Sequence, residues 1–210
     1  SAWANDPWGR VLCEVPPAKN GDYAWIQHMI ASMKDDTGRV GVVMPHGVLF
    51  RGGKEGEIRR CLLEKDLLDA VIGLPNNLFY STSIPVCLLI WRKFKAEERR
   101  ERVLFVDASK RFVAGKNQNS MSAADVEAIL AAYARGEDID GQGGVNLRIV
   151  DLDEIAGNNF DLNIGRYIQS AATAEVDVEA ALAAYRDARE ALRAAERVLD
   201  ERLEAAGFDA

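Results

Sequence analysis

Two apolar runs flanking a helix-length amphipathic stretch constrain this chain more than any other feature of it. Val40 to Met44 reads as a short buried strand stopped by Pro45, and Leu67 to Leu74 (LLDAVIGL) reads as another. Between them, from Glu55 to Lys65, Ile58, Leu62 and Leu63 alternate with charged residues at helical spacing. Strand, helix and strand within one crossover length favour a mainly parallel sheet with helices packed on it. Two further apolar runs follow, Ile84 to Trp91 (IPVCLLIW) and Val103 to Val106 (VLFV), and the short loops around them suit antiparallel pairing at a sheet edge.

The remaining segments read as helices and connections. Tyr23, Ile26, Met29, Ile30 and Met33 recur at steps of three and four, which predicts a helix from Asp22 to Met33, ended by Asp35-Asp36-Thr37-Gly38. A second helix is expected from Ser122 or Ala123 to Tyr133, with Ser122 as N-cap and Asp125 in the first turn. Gly136 to Gly144 is a polar loop, Val145 to Ile155 a short strand or extended segment, and Asn158 to Ile168 an irregular stretch. From Val178, the series Ala181, Tyr185, Ala188, Leu192, Ala195, Leu199 forms a heptad seam on a helix of about 30 residues, roughly 45 Å long.

With 210 residues and 48% hydrophobic composition, the chain can bury one sizeable core and a small appended unit. No apolar run approaches the ~20 residues that span a bilayer, so a soluble chain without a membrane partner is expected. The turn-rich opening Ser1 to Gly9, with no initiating methionine, reads as a cut from something longer. Cys13, Cys61 and Cys87 are odd in number and far apart, which suggests neither a disulfide nor a zinc site and fits a reducing, cytoplasmic setting. The net charge of −7 divides unevenly, +4 over residues 1–124 and −11 over residues 125–210. A basic contact surface on the N-terminal part therefore remains open.

The stretch from Val43 to Gly56, VMPHGVLFRGGKEG, sits where a strand hands over to a helix, the position at which phosphate loops form. It fails the Walker A pattern. Gly47 and Gly52 have the four-residue gap, but Gly53 stands where lysine is needed, Lys54 comes one residue late, and Glu55 replaces the magnesium-binding hydroxyl. One alternative is a glycine-rich turn that only redirects the chain. The other follows from topology: ligands of open α/β sheets bind at strand carboxyl ends, so Pro45, His46, Gly47, Arg51, Gly52 and Gly53 would line a cleft.

The run from Met44 to Lys93, MPHGVLFRGGKEGEIRRCLLEKDLLDAVIGLPNNLFYSTSIPVCLLIWRK, resembles the modification (M) subunit of type I restriction-modification systems, a DNA adenine-N6 methyltransferase. VLFVDASKRFVAGKNQNSMSAADVEAIL and NNFDLNIGRYI look like later segments of the same subunit, so the resemblance covers most of residues 20 to 168 in matching order. It implies an α/β fold, the C-terminal half of a Rossmann-like methyltransferase sheet that uses S-adenosylmethionine (SAM), with an appended helical C-terminal region. Residues 1–107 would complete the methyltransferase domain, 108–170 a family-specific extension, and 171–210 the long helix. The family's cofactor loop and its catalytic NPPF motif do not occur in this sequence, and the pattern places Ser1 just downstream of the latter. The chain alone is therefore expected to be inactive and to bind no SAM, which would be held by the intact subunit.

The resemblance also assigns roles. In related adenine methyltransferases an aromatic in the position of Phe79 stacks on the flipped adenine, with Tyr80 as the alternative here; the competing reading makes Phe79 a core anchor. His46 reads as a proton acceptor or polar contact on one view and, on the other, as a structural histidine whose ring is satisfied by a hydrogen bond, the reading favoured here; His28 is blander still. Arg51, Lys54, Arg59, Arg60, Arg92, Lys93, Lys95, Arg99 and Arg100 are candidates for DNA phosphate contacts or for an ordinary solvated face. Gly115 to Asn119 (GKNQN) suits a turn or a hydrogen-bonded groove and carries no assigned role. The partners implied are DNA, the specificity (S) subunit, which the heptad helix would meet unless its apolar stripe packs back on its own domain, and the restriction (R) subunit; an open sheet edge would permit self-association. The rival reading is a non-catalytic α/β module, with a coiled-coil arm, that binds DNA or a protein partner.

Overall fold

Five strands form a single mixed sheet in the computed structural model, which describes residue 3 and residues 5–136, 144–168, 178–205 and 207. The strands are β1 (Arg39–Pro45), β2 (Leu68–Gly73), β3 (Val86–Arg92), β4 (Arg102–Asp107) and β5 (Asn146–Asp151), in the order β1-β3-β2-β4-β5. β3 runs antiparallel to both β1 and β2, β2 and β4 are parallel, and β4 and β5 are antiparallel. The expected strand-helix-strand unit is present, but its two strands are not neighbours, because β3 is inserted between them. The edge position expected for that antiparallel run is thus corrected to an interior one. The reason is in its side chains. Cys87, Leu89 and Trp91 face one layer while Leu88 and Ile90 face the other, so the strand has no polar face to turn to water.

Both faces of the sheet are covered. On one, α1 (Asp22–Ala31) and α3 (Lys54–Glu64) supply Tyr23, Ile26, Ile30, Ile58, Leu62 and Leu63 against Leu89, Trp91 and Phe105. On the other, α4 (Ala123–Arg135) lays Ala128, Ile129 and Ala132 over Ala70, Ile72, Leu104 and Val106. β4 alternates accordingly, Val103 and Phe105 toward the first layer, Leu104 and Val106 toward the second. Helix α4 begins at the expected residue. Ser122 accepts from the Asp125 amide while the Asp125 carboxylate accepts from the Ser122 amide, a capping box in which aspartate takes the usual place of glutamate.

A disulfide links Cys13 to Cys61, which overturns the expectation that no pair would form. Their 48-residue separation says nothing about proximity. What brings them together is Gln27, fully buried on α1, whose Oε1 accepts from the Cys13 amide at 3.0 Å and whose Nε2 donates to the Glu14 carbonyl at 3.0 Å. The N-terminal segment is thereby held against the layer of α1 and α3. Cys87 stays a buried free thiol, its pKa pushed up to about 12 by desolvation.

The chain divides into two compact units, Ser1–Ser170 and Ala171–Ala210. The first includes α5 (Leu152–Gly157) and α6 (Ile164–Tyr167); the second contains α7 (Val178–Ala205), whose Leu182, Tyr185, Leu192 and Leu199 are exposed, while the side chains of Val178 and Ala181, the first members of the seam, lie outside the described residues. Most of the polar loop expected between Gly136 and Gly144 lies outside them as well. No helix among the described residues is long and apolar enough to cross a membrane.

Candidate functional site

The carboxyl ends of β1, β2 and β4 meet on one rim of the sheet. Pro45 pairs with Val86, Gly73 with Cys87, and Gly73 with Asp107, so the segments that leave these strands are brought together. By the general rule for open α/β sheets this rim is the candidate site.

The first rim segment is the glycine-rich stretch, and it is not one continuous loop. Gly47–Phe50 closes a helical turn, α2, and the chain then re-enters at α3 through Gly52 and Gly53. Arg51 fixes the turn: its guanidinium pairs with Asp22 on α1, and its Nε donates to Glu55 at 2.8 Å. Burial pulls the Arg51 pKa down, but the hydrogen bonds and charges of Glu55 and Asp22 outweigh it and hold it above its ordinary value. Gly53 has φ +62° and ψ −143°, a conformation that a side chain strains. We expect Gly53→Ala to lower stability by ~1–3 kcal/mol, whereas Gly52→Ala, with open space around its Cβ and no positive φ, should stay within ~0.5 kcal/mol. Urea midpoints of the two variants check this. His46 is tied down, its Nε2 lying 3.1 Å from the Val86 carbonyl across the β1–β3 pair.

The second rim segment runs from Leu74 to Pro85. Phe79 and Thr82 form an isolated bridge, so Tyr80 and Ser81 sit at the tip of a tight turn, with Ser81 at φ +62°. Phe79 is 45% exposed and Tyr80 88%, and neither belongs to a core cluster, which removes the core-anchor reading of Phe79. The third segment, after β4, holds GKNQN. It lies along the second one: the Asn119 amide donates to the Asn77 carbonyl at 2.8 Å, and the Gln118 side chain donates to Leu78. The sequence pattern alone assigns this stretch no role. The Asn-rich composition of both segments, Asn76-Asn77 and Asn117-Gln118-Asn119, was the available signal.

The basic residues do not share one surface. Because β3 is antiparallel, Arg92 and Lys93 come out at the opposite end of the sheet from Pro45 and Phe79, and they are engaged there: Arg92 faces Asp69 at 3.6 Å, and Lys93 donates to Asp35 and to the Met33 carbonyl, each at 2.7 Å. Lys95 is 4% exposed, its amine spent on Asp66, Leu68 O and Arg102 O. Arg59 is corrected outright. It is 3% exposed and donates to the carbonyls of Phe160 (2.8 Å), Arg51 (2.8 Å) and Val48 (3.3 Å), so it braces the fold and offers a phosphate nothing. Arg60 is exposed on α3 beside Glu64 at 2.7 Å, and Lys54 is exposed at the start of the same helix.

Nucleotide sites of Rossmann-like folds grip the ribose hydroxyls with a carboxylate. Residues 46–53 and 74–85 contain none; the acids behind them, Asp22 and Glu55, are committed to Arg51, and on the third segment Asp107 accepts from the Ser109 amide at 3.0 Å. These residues do not fit the ribose of SAM.

Residues 2–176 match the family model described as N-6 DNA Methylase. The MjaVII type I restriction enzyme methylase subunit of Methanocaldococcus jannaschii is 38% identical over 156 residues, 73% of this chain and 26% of the relative. The MpnII type I methylase subunit of Mycoplasma pneumoniae is 30% identical over 183 residues, 83% of this chain and 32% of the relative. The crystal structure of a type I restriction-modification system methyltransferase subunit from Streptococcus thermophilus superimposes with a TM-score of 0.71 at 41% identity, covering 80% of this chain and 34% of that one. This chain thus spans about a quarter to a third of the length of these proteins. Its mixed sheet is the α/β fold of a Rossmann-like methyltransferase subunit, and with a family model covering residues 2–176 the chain belongs to the N-6 DNA methylase family.

Proposed function

We propose that this chain is a portion of a DNA adenine-N6 methyltransferase, the M subunit of a type I restriction-modification complex, and that it forms the side of the cleft that holds the target base. One observation carries the reading: an exposed aromatic pair, Phe79 and Tyr80, projects from the strand carboxyl ends of a chain 41% identical to a type I methyltransferase subunit. An enzyme that modifies a base inside a duplex must extrude it and hold it, and stacking on aromatic side chains is the common means. Phe79 is the stacking face and Tyr80 extends it. Pro45, His46 and Gly47 form the neighbouring wall, with His46 orienting the chain through Val86 rather than moving a proton. SAM supplies the methyl group in the intact subunit. Of the basic residues singled out for DNA contact, Lys54 and Arg60 are exposed on α3 to meet the DNA backbone, which adds affinity without reading sequence. Replacing Phe79 by alanine in the complete subunit tests the reading.

The partners proposed with it are DNA and the S and R subunits, in the cytoplasm where such a complex meets chromosomal DNA; the outer edges of β1 and β5, unpaired among the described residues, are the places for any self-association. The apolar seam of α7 is proposed to meet the S subunit, because exposed leucines at heptad spacing gain stability only against a partner helix. Deleting residues 174–210 from the complete subunit should weaken its assembly with S at least about tenfold, ~1.4 kcal/mol, in a titration followed by sedimentation. Assembly of unchanged affinity would refute this contact.

A further inference from the structure

We propose that Gln118 and Asn119 are positioning residues for the target-base site, holding the segment that carries Phe79 through hydrogen bonds to its backbone. The proposal rests on the reading of Phe79 given above. The segment from Leu74 to Pro85 has little apolar anchorage of its own: Pro75 is buried, but Asn76, Phe79, Tyr80, Ser81, Ser83, Ile84 and Pro85 are exposed. Its order must come from polar contacts, and these come from about forty residues further along. Gln118 Nε2 donates to the Leu78 carbonyl at 2.5 Å, one peptide bond from Phe79. Asn119 Nδ2 donates to the Asn76 carbonyl at 3.0 Å and its backbone amide to Asn77 at 2.8 Å, while Asn77 Nδ2 returns a bond to the Asn117 carbonyl at 3.4 Å. Asn77 itself is left-handed, at φ +55°. Three consecutive carbonyls, those of residues 76, 77 and 78, are thus engaged by two consecutive residues.

The segment that donates these bonds is fixed in its turn. Val113 and Ser120 exchange both backbone hydrogen bonds, at 2.7 and 3.0 Å, and close a turn so tight that a Cβ on Gly115 would lie 2.1 Å from the Gln118 carbonyl oxygen. It is tied to the end of β4 on one side and to the capping box of α4 on the other. Gln118 and Asn119 therefore transmit the rigidity of the sheet and of α4 to an otherwise weakly anchored aromatic. Neither residues 74–91 nor residues 108–122 contain an acidic side chain, and Lys110 and Lys116 are exposed, so the paired segments meet a polyanion without repulsion. Reaction rates are sensitive to placement: a displacement of about 1 Å can cost on the order of a hundredfold.

The test uses the complete subunit assembled with its specificity partner, and a duplex carrying the site mapped from the methylated adenines of a host that expresses the system. Gln118→Met with Asn119→Leu removes both side-chain donors at similar volume. Amide exchange of residues 77–82 is expected to accelerate at least about tenfold, and kcat to fall about tenfold to a hundredfold with KM for SAM within about twofold. Unchanged exchange overturns the pinning, and accelerated exchange with kcat within about twofold of wild type overturns the positioning role. Phe79→Ala is measured alongside: if it leaves kcat unchanged, the base-holding reading fails, and the exchange data still decide whether the segment is pinned. Should the double variant not fold, Gln118→Met alone loses one bond and carries the same comparison.

Discussion

Phe79→Ala in the complete subunit is expected to slow methylation of a normally paired target adenine by about five- to 150-fold. Stacking of a base on an aromatic side chain is worth ~1–3 kcal/mol, and each ~1.4 kcal/mol is tenfold in rate when the contact is made on the way to the transition state. The ring is 45% exposed and lies outside both core clusters, so folding should change by no more than ~0.5 kcal/mol and the loss is read as function. A mismatched target separates stacking from other roles. An unpaired adenine leaves the duplex at lower cost, so less of the stacking energy is needed to hold it out, and the variant's deficit should shrink on that substrate. Phe79→Trp, which keeps a stacking face, should retain most activity. Turnover and binding unchanged on both paired and mismatched duplexes would remove Phe79 from the role, and Tyr80→Ala would then be the variant that loses them.

The strands were legible because their signal is local. Val40 to Met44, Leu67 to Leu74, Ile84 to Trp91 and Val103 to Val106 are apolar runs of strand length, and all four lie in the sheet within a residue or two. Ser122 with Asp125 announced the start of α4 for the same reason, since a capping box closes within four residues. What sequence reading missed is non-local. The place of β3 depends on which two strands its edges find: a run apolar on both faces suits an interior position, but that β1 and β2 are the strands flanking it is set by the tertiary fold. Cys13 and Cys61 are joined because Gln27, a third residue, folds the N-terminal segment back. Phe79 was picked out by resemblance, but Gln118 and Asn119 lie about forty residues away, and no periodicity links them to it. The basic residues show the error most plainly: arginine and lysine in a list read as a charged surface, yet Arg59 and Lys95 are interior ties and Arg92 and Lys93 emerge at the far end of an antiparallel strand.

Arg59→Ala should accordingly lower the stability of the chain by ~3 kcal/mol, about 6–12 °C in melting temperature for a chain of this length, and leave its salt-dependent DNA affinity unaltered. The guanidinium satisfies three carbonyls on two segments: Val48 in the first rim turn and Arg51 at its end, and Phe160 across a separation of 101 residues. Val48 keeps a second donor, the buried Tyr23 hydroxyl at 2.7 Å, but the part-buried carbonyls of Arg51 and Phe160 would lose a charged partner, a bond worth ~1.5–3 kcal/mol. Phe160 adds strain to the loss, because it and Asn159 are consecutive left-handed residues at φ +55° and +56°, a conformation kept only while its surroundings hold it. A phosphate contact behaves in the opposite way. Lys54→Ala, at an exposed position, should leave the melting temperature where it is and reduce the slope of log affinity against log salt by ~1. An Arg59→Ala variant that kept its melting temperature and lost that unit of slope would return Arg59 to the DNA surface. The bonds to Val48, Arg51 and Phe160 require the reverse, since a guanidinium already holding three carbonyls must break the fold before it can reach a phosphate.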